Sequence, residues 1–154
     1  MEMREAENPE ELFADFIADA GQEEIDRCYY MKLVKADNEV LWDVRDDEGN
    51  RVAFAGLFQV DPTLCGYRIG VFRKYRRVGW RKRIRTWILD TAFARPGVTH
   101  VRTSCQVGNP PQVVSMLKGH LDGSWMKLVE VKTEPKATLV FKFSREEWEA
   151  VKAR

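Results

Sequence analysis

The sequence lacks the features of a membrane, metal-binding or disulfide-stabilised protein. Its longest apolar stretches, such as Val52 to Phe58, are much shorter than the roughly 20 residues that cross a bilayer. The amino terminus is acidic, unlike a basic secretory leader. Two histidines and three cysteines occur among 154 residues, and none stands in a CxxC or Cys/His metal-ligand pattern. We therefore expect a cytoplasmic protein with reduced thiols and no metal site.

The chain also lacks repeats, low-complexity segments and linkers. With 44% apolar and 32% charged residues, we expect residues 1–154 to form a single domain. The net charge of +1 hides an uneven distribution, because residues 1–50 carry 16 acids and 5 bases whereas residues 51–118 carry 2 acids and 13 bases. Such blocks suggest that the basic middle third holds an anionic ligand, and that the acidic third covers it or faces a cationic partner.

Hydrophobic periodicity and turn residues predict the order strand, two helices, three strands, helix, strand, helix, two strands, helix. The predicted strands cover 1–6, 39–45, 51–60, 65–72, 98–107, 124–132 and 137–143. The predicted helices cover 9–20, 23–31, 79–94, 110–118 and 144–152. Asn8 and Ser144 are the expected N-caps of the first and last helices.

The most informative segment runs from Arg73 to Arg85, where a predicted strand leads into a helix and 8 of 13 residues are basic. The free amides and the dipole of the first helical turn favour an anion at this point. Gly79 lets the backbone approach a phosphate without an intervening side chain. The alternative is an ordinary solvated basic helix face.

Residues 76–81, Arg-Arg-Val-Gly-Trp-Arg, resemble the Arg/Gln-x-x-Gly-x-Gly/Ala pyrophosphate loop of the GCN5-related N-acetyltransferase (GNAT) superfamily. Residues 3–6 are similar to the family's opening strand, Asn109 follows the fifth strand where the family often has Asn, and the order of elements is the same. The resemblance implies an α+β fold with three α/β/α layers. Its mixed, mostly antiparallel sheet would have six to seven strands, splayed between strands 4 and 5, and four to five helices.

The resemblance also implies a site for acetyl-CoA or another acyl-CoA. The end of the fourth strand would pair with the pantetheine arm, the loop amides would hold the pyrophosphate, and Lys74, Lys82 or Arg85 would reach the ribose phosphate. Arg81 stands where the family's loop normally ends in Gly or Ala, and Arg77 stands at the usual mid-loop glycine. Their side chains either crowd the pyrophosphate or clamp it. The residues expected to bind the cofactor are Ile69, Val71, Phe72, Arg76, Arg77, Val78, Gly79, Trp80, Arg81 and Asn109.

Direct transfer from a thioester needs a neutral amine and a proton donor for the leaving thiolate. The positions where the family often carries a Tyr acid or a Glu base are Met116 and Ser104 here. The candidate substitutes are Asp61, acting through water, with Tyr67 and Ser115 as donors. Their structural alternatives are a turn aspartate, a core aromatic and a helix-surface serine.

The leading hypothesis is an acyl-CoA-dependent N-acyltransferase, in which a primary amine attacks acetyl-CoA directly. The acceptor is a small molecule, a protein amine or a modified nucleobase, and the acidic first third favours a cationic acceptor by long-range attraction. A monomer and a homodimer both fit the sequence.

Two alternatives belong to other classes. Residues 107–109 and 116–119 are similar to GNAT-like proteins of tailed phages, which favours a phage-like structural or binding component, such as a virion protein, without catalysis. The basic segment could instead associate with nucleic acid, with Trp80 and Trp87 stacking on bases. Their helical spacing, however, predicts that both tryptophans pack in the core.

Overall fold

The computed structural model describes residues 1–29 and 32–154. It contains a seven-stranded sheet, five α-helices and one short 3-10 helix at Arg73–Tyr75. The strands are β1 (Glu2–Glu5), β2 (Glu39–Arg45), β3 (Arg51–Asp61), β4 (Leu64–Val71), β5 (His100–Gln106), β6 (Lys127–Lys132) and β7 (Thr138–Ser144). The helices are α1 (Pro9–Ala20), α2 (Gln22–Cys28), α3 (Trp80–Phe93), α4 (Pro110–Asp122) and α5 (Arg145–Lys152).

The strands lie in the order β1-β2-β3-β4-β5-β7-β6, and every neighbouring pair is antiparallel except β4 with β5. The parallel pairing covers only three residue pairs, from Leu64 opposite His100 to Gly66 opposite Arg102. Beyond these pairs the two strands continue without pairing to each other. The predicted mixed sheet, splayed between strands 4 and 5, is therefore confirmed.

Alternation along β4 assigns side chains to the two faces of the sheet. Tyr67, Ile69 and Val71 join the larger core cluster beneath α3, which also holds Ile84 and Ile88 of that helix. The opposite face packs against α1, where Leu12, Phe13 and Phe16 form a second cluster with Phe54 of β3. Gly70 belongs to this second face, and a Cβ at that position would overlap the Phe54 ring.

Local signals in the sequence place most helix ends correctly. The Asn8 side chain accepts a hydrogen bond from the Glu11 amide at 3.1 Å, and Ser144 forms the predicted capping box with Glu147. Trp87 packs edge-to-face on Trp42 with ring centroids 4.9 Å apart, which confirms its predicted place in the core. No helix within the described residues is long and apolar enough to cross a membrane.

Several element boundaries differ from the prediction, among them the start of β6, at Lys127 rather than 124, and the ends of two helices. Helix α4 continues to Asp122 rather than ending at 118, because Gly119 lies within the helix where Trp125 packs against it. A Cβ at Gly119 would overlap the Trp125 side chain, so this glycine serves packing and does not end the helix. Helix α2 ends at Cys28, and the end predicted for it at Met31 lies outside the described residues.

Candidate functional site

The divergence of β4 from β5 opens a cleft of about 360 Å³. Its walls come from both strands, from the first two turns of α3, from the end of α2 and from the start of α4. Residues of these elements that line the cleft are Gly66, Tyr67, Arg68, Ile69, Arg102, Thr103, Ser104, Cys105, Gln106, Arg81, Arg85, Cys28, Tyr29, Asn109 and Gln112. The cleft thus occupies the splay that the sequence predicts.

The loop that leads from β4 into α3 presents backbone rather than side chains. Gly79 is the N-cap of α3 in the left-handed conformation, with φ +92°, and a Cβ there would meet no atom within 4 Å. None of the backbone N–H groups of residues 77–82 donates a hydrogen bond to a described residue. Unpaired amides at a helix N-terminus, beside Arg81 and Lys82, suit a phosphate group.

Arg77 adopts the same left-handed region, with φ +65°. Arg77 stands where the GNAT resemblance implies a mid-loop glycine, and glycine adopts this region without steric cost. A non-glycine residue there costs about 1–2 kcal/mol.

Arg76 holds the loop in place. Its guanidinium forms a two-pronged ion pair with Glu24 of α2, with both N–O distances 2.8 Å, and its Nε donates to the Val71 carbonyl at 2.9 Å. The hydrogen bonds from Arg76 lower the pKa of the Glu24 carboxyl. Because these donors are already used inside the protein, the Arg76 side chain positions the loop and is poorly placed to contact a cofactor itself.

The other predicted cofactor residues fall into two groups. Ile69, Arg81 and Asn109 line the cleft. Val71, Phe72, Val78 and Trp80 do not line the cleft, and their side chains have other surroundings. Val71 is buried, Phe72 packs edge-to-face on Phe16, Val78 is 68% exposed, and Trp80 packs on Tyr75.

Of the three predicted catalytic residues, the structure brings one to the cleft. Tyr67 lines it, and its hydroxyl donates to the Met126 sulfur at 3.8 Å on the core side. Burial raises the pKa of the Tyr67 phenol, so it stays protonated. Asp61 is the last residue of β3, outside the cleft lining, and accepts hydrogen bonds from the Thr63 amide and hydroxyl at 2.8 and 3.0 Å. Ser115 is exposed on α4, also outside the cleft lining.

Sequence reasoning missed Arg68, Arg102 and Lys132 of the lining, and it named Arg85 only as one of three candidates for the ribose phosphate. Arg85 lies in the cleft. It does not point outward toward a ribose phosphate. Its guanidinium lies 4.0 Å from the centroid of the Trp125 ring, and its Nε is buried without a hydrogen-bond partner in the described residues. Burial lowers the pKa of Arg85. The signal was its spacing of four residues from Arg81, which places both side chains on one face of α3.

Tyr29 and Cys105 are two further ionisable groups of the lining. Burial raises the pKa of Tyr29 to about 12 and that of Cys105 to about 11. Both groups are therefore uncharged at neutral pH. Cys105 is nearly inaccessible, as expected for a structural thiol.

The charge of the cleft is opposite to that of the acidic first third. Five bases line it, and among the described lining residues there is no Asp, Glu or His: the bases are Arg68, Arg81, Arg85, Arg102 and Lys132. Arg68 is balanced by Glu39 at 2.7 Å, but Arg102 and Lys132 form no ion pair within residues 1–29 and 32–154. The expectation that the acidic third presents carboxylates to a cationic acceptor is not supported by this lining. The described residues also contain no group of three His, Cys, Asp or Glu side chains suited to a metal.

No protein-family profile and no curated protein sequence matches the chain. Solved structures do match it. A crystal structure of spermidine N-acetyltransferase from Vibrio cholerae, in complex with CoA and spermine, has a TM-score of 0.74 and 11% identity, covering 96% of this chain and 97% of that one. A chimera of the Vibrio cholerae SpeG enzyme and hSSAT has a TM-score of 0.71 and 11% identity, covering 97% and 99%. The chain has the GNAT fold. Residues 76–81, which resemble the GNAT pyrophosphate loop, therefore lie within this fold. They lead into α3 beside the cleft.

Proposed function

We propose that the protein is an acetyl-CoA-dependent N-acetyltransferase acting on a primary amine. The observation that carries this proposal is the continuity of two features: the cleft between β4 and β5, and the glycine-capped start of α3 with its unpaired amides. The cleft suits an extended chain lying between the strand edges. The start of α3 suits phosphate groups. Solved structures of the same fold include a spermidine N-acetyltransferase in complex with CoA and spermine, which supports the same donor class and an amine acceptor.

The residues present fit coenzyme A. The amides of residues 77–82 and the Arg81 and Lys82 side chains would hold its phosphates, since all of them are free to donate at the start of α3. The buried Arg85 Nε lacks an acceptor among the described residues, and a carbonyl of the bound chain would supply one. Acetyl-CoA supplies the acetyl group as a thioester, so that the acceptor amine becomes an amide and the free thiol is released.

The described cleft residues provide no conventional general base, because their ionisable groups are cations or protonated phenols and thiols. The cationic lining replaces part of this role. Neighbouring positive charge disfavours an ammonium ion and so lowers the pKa of a bound amine. Tyr29 lines the cleft and stays protonated, so it can donate to the leaving group, whereas the Tyr67 hydroxyl already donates to the Met126 sulfur. Positioning of the amine supplies the remaining acceleration.

Calorimetric titration with CoA and with acetyl-CoA tests the proposal. We expect binding in the micromolar range, weakened by about tenfold or more in Gly79→Trp, because the new side chain would occupy the phosphate position. The matched control is Gly123→Trp, at the C-cap of α4. Gly123 also has positive φ, +73°, and open space around its Cβ position. Absence of binding by the wild type, or equal loss in both variants, would overturn the proposal.

A further inference from the structure

A row of three cations crosses the half of the sheet formed by β5, β7 and β6. Arg102 lies directly opposite Lys142, and Lys142 lies directly opposite Lys127. Directly opposed residues of antiparallel strands share one face of the sheet. The three side chains therefore stand side by side on adjacent strands, and we call them the basic row.

The face that carries the basic row is the one opposite α3. Val101 and Cys105 of β5 are buried in the core beneath α3, so Arg102 between them projects to the other side. A Cβ at Gly66 would lie 3.8 Å from the Arg102 Cγ, which places this side chain over β4. The row thus begins inside the cleft at Arg102 and leads out of it across two further strands.

No ion pair offsets the charge of the row within the described residues, although acids lie near it. Like charges directly opposite each other destabilise a sheet, yet none of the three side chains forms an ion pair within residues 1–29 and 32–154. Asp61 and Glu147 line a second cavity with Lys127 and Lys142 and offset part of this charge. The pKa of Asp61 is lowered by hydrogen bonds from Thr63 and also by the charge of Arg102. Asp61 accepts from Thr63, and Glu147 accepts from the Ser144 amide at 2.9 Å. Glu130 remains as one acid at the next same-face position of β6.

We propose that the basic row binds the carboxylates of an acceptor peptide, so that the group acetylated is a peptide α-amine followed by acidic residues. This rests on the proposed function, because the row matters to catalysis only if the cleft holds the acetyl donor. The row spans two strand spacings, about 10 Å, which equals about three residues of extended peptide.

The chemistry of the cleft favours the same kind of amine. Without a carboxylate or histidine in the described lining, the nucleophile must already be neutral for much of the time. A peptide α-amine has a pKa near 7.7–8.0, whereas the lysine amine is near 10.4. At about pH 7.5 the α-amine therefore offers a far larger neutral fraction. Nucleic acid is disfavoured because Trp80 and Trp87 of α3 are partly buried against the core, which leaves less of each ring for stacking on bases.

Peptide binding can be measured without turnover. Three hexapeptides with the same first residue would carry acids, the matching amides, or lysines at positions two to four. We expect the acidic peptide to bind at least about tenfold more tightly than the amide peptide, with the advantage shrinking as salt rises from about 50 to about 300 mM. Arg102→Met and Lys142→Met should each remove most of the advantage. Lys118→Met, on the exposed side of α4, is the matched control.

Release of free CoA thiol, measured on the same proteins, then separates the two proposals. The expected result is a lower KM for the acidic peptide, raised several-fold by Arg102→Met. Failure to bind CoA would overturn the proposed function and the acceptor assignment together. Intact CoA binding with equal use of acidic and amide peptides, or with no peptide turnover, would overturn the acceptor assignment alone. Free glutamate used as efficiently as the peptide, or duplex DNA bound more tightly through the same two residues, would also overturn it.

Discussion

Two sets of arginines near the cleft differ in how their charge is balanced. Arg68 and Arg76 each form a two-pronged ion pair with a glutamate of the first third, Glu39 and Glu24 respectively. Arg85 of α3 and Arg102 of β5 form no ion pair within the described residues. The first set fixes the fold, and the second set is available to a ligand. A count of charges by sequence block cannot make this distinction, because it depends on which acid meets which base.

The ion pair between Arg68 and Glu39 is buried and hydrogen-bonded to neighbouring segments. The Glu39 side chain is 0% exposed and that of Arg68 10%. Arg68 also donates to the Lys32 and Val34 carbonyls at 3.1 and 2.8 Å, which ties the segment after α2 to β4. Gly56 of β3 leaves the space that the Glu39 carboxylate occupies.

The largest expected effect is that of Gly56→Ala, which forces the Glu39 carboxylate out of its position and breaks the buried pair. Breaking such a pair costs about 3–5 kcal/mol, and urea denaturation measures the free energy of unfolding. Gly66→Ala is the matched control on the next strand, where a Cβ would meet its nearest atom at 3.7 Å. We expect that control to lose less than about 1 kcal/mol. Similar losses in both variants would show that the buried pair does not fix the fold.

A smaller effect separates the two sets directly. Arg68→Met should lower the free energy of unfolding by about 3 kcal/mol, because it leaves Glu39 buried and unpaired. Arg102→Met should change it by less than about 0.5 kcal/mol, because no ion pair within residues 1–29 and 32–154 is lost. Thermal and urea denaturation of both variants check this. If Arg102→Met were as destabilising as Arg68→Met, the division into structural and ligand-facing arginines would be wrong.

The smallest effect concerns the half-exposed pair of Glu24 with Arg76. The pKa of Glu24 is lowered in the folded protein, chiefly by hydrogen bonds from Arg76. Its stabilisation is therefore present above the unfolded pKa and is lost as pH falls through the folded pKa. The free energy of unfolding of the wild type should exceed that of Glu24→Gln by about 0.5–1 kcal/mol at pH 7, because solvent screens the pair. The difference should shrink below about pH 4, and a difference independent of pH between 7 and 3 would contradict this assignment.

Local signals in the sequence predict much of the fold. The strand Glu39–Arg45 follows from alternation, and the ends of α1 follow from Asn8 and Gly21. The end of α4 could not be predicted, because Gly119 is a helix-ending residue by local rules and its contact with Trp125 becomes visible only in the folded chain.

The candidate site also has one part that the sequence predicts and one part that depends on the folded chain. The phosphate-binding loop depends on consecutive residues, so its position before α3 could be predicted. The balance of charge in the cleft depends on partners such as Arg68 and Glu39, 29 residues apart, and on the register that places Arg102 beside Lys142. Asp61 is a candidate base only by its position after a strand, and its hydrogen bonds to Thr63 agree with the alternative of a turn aspartate.

The short parallel seam between β4 and β5 has a consequence for the cohesion of the whole sheet. With three residue pairs in the seam, the molecule consists of two antiparallel blocks, and past the seam each block ends in a strand edge that faces the other. One side-chain link crosses there, from the Thr103 hydroxyl to the Tyr67 carbonyl at 3.3 Å. A chain bearing amide groups would complete both edges at once, as an eighth strand does in an ordinary sheet. A ligand in the cleft would then also join the two blocks, so binding of the ligand would raise the stability of the whole sheet.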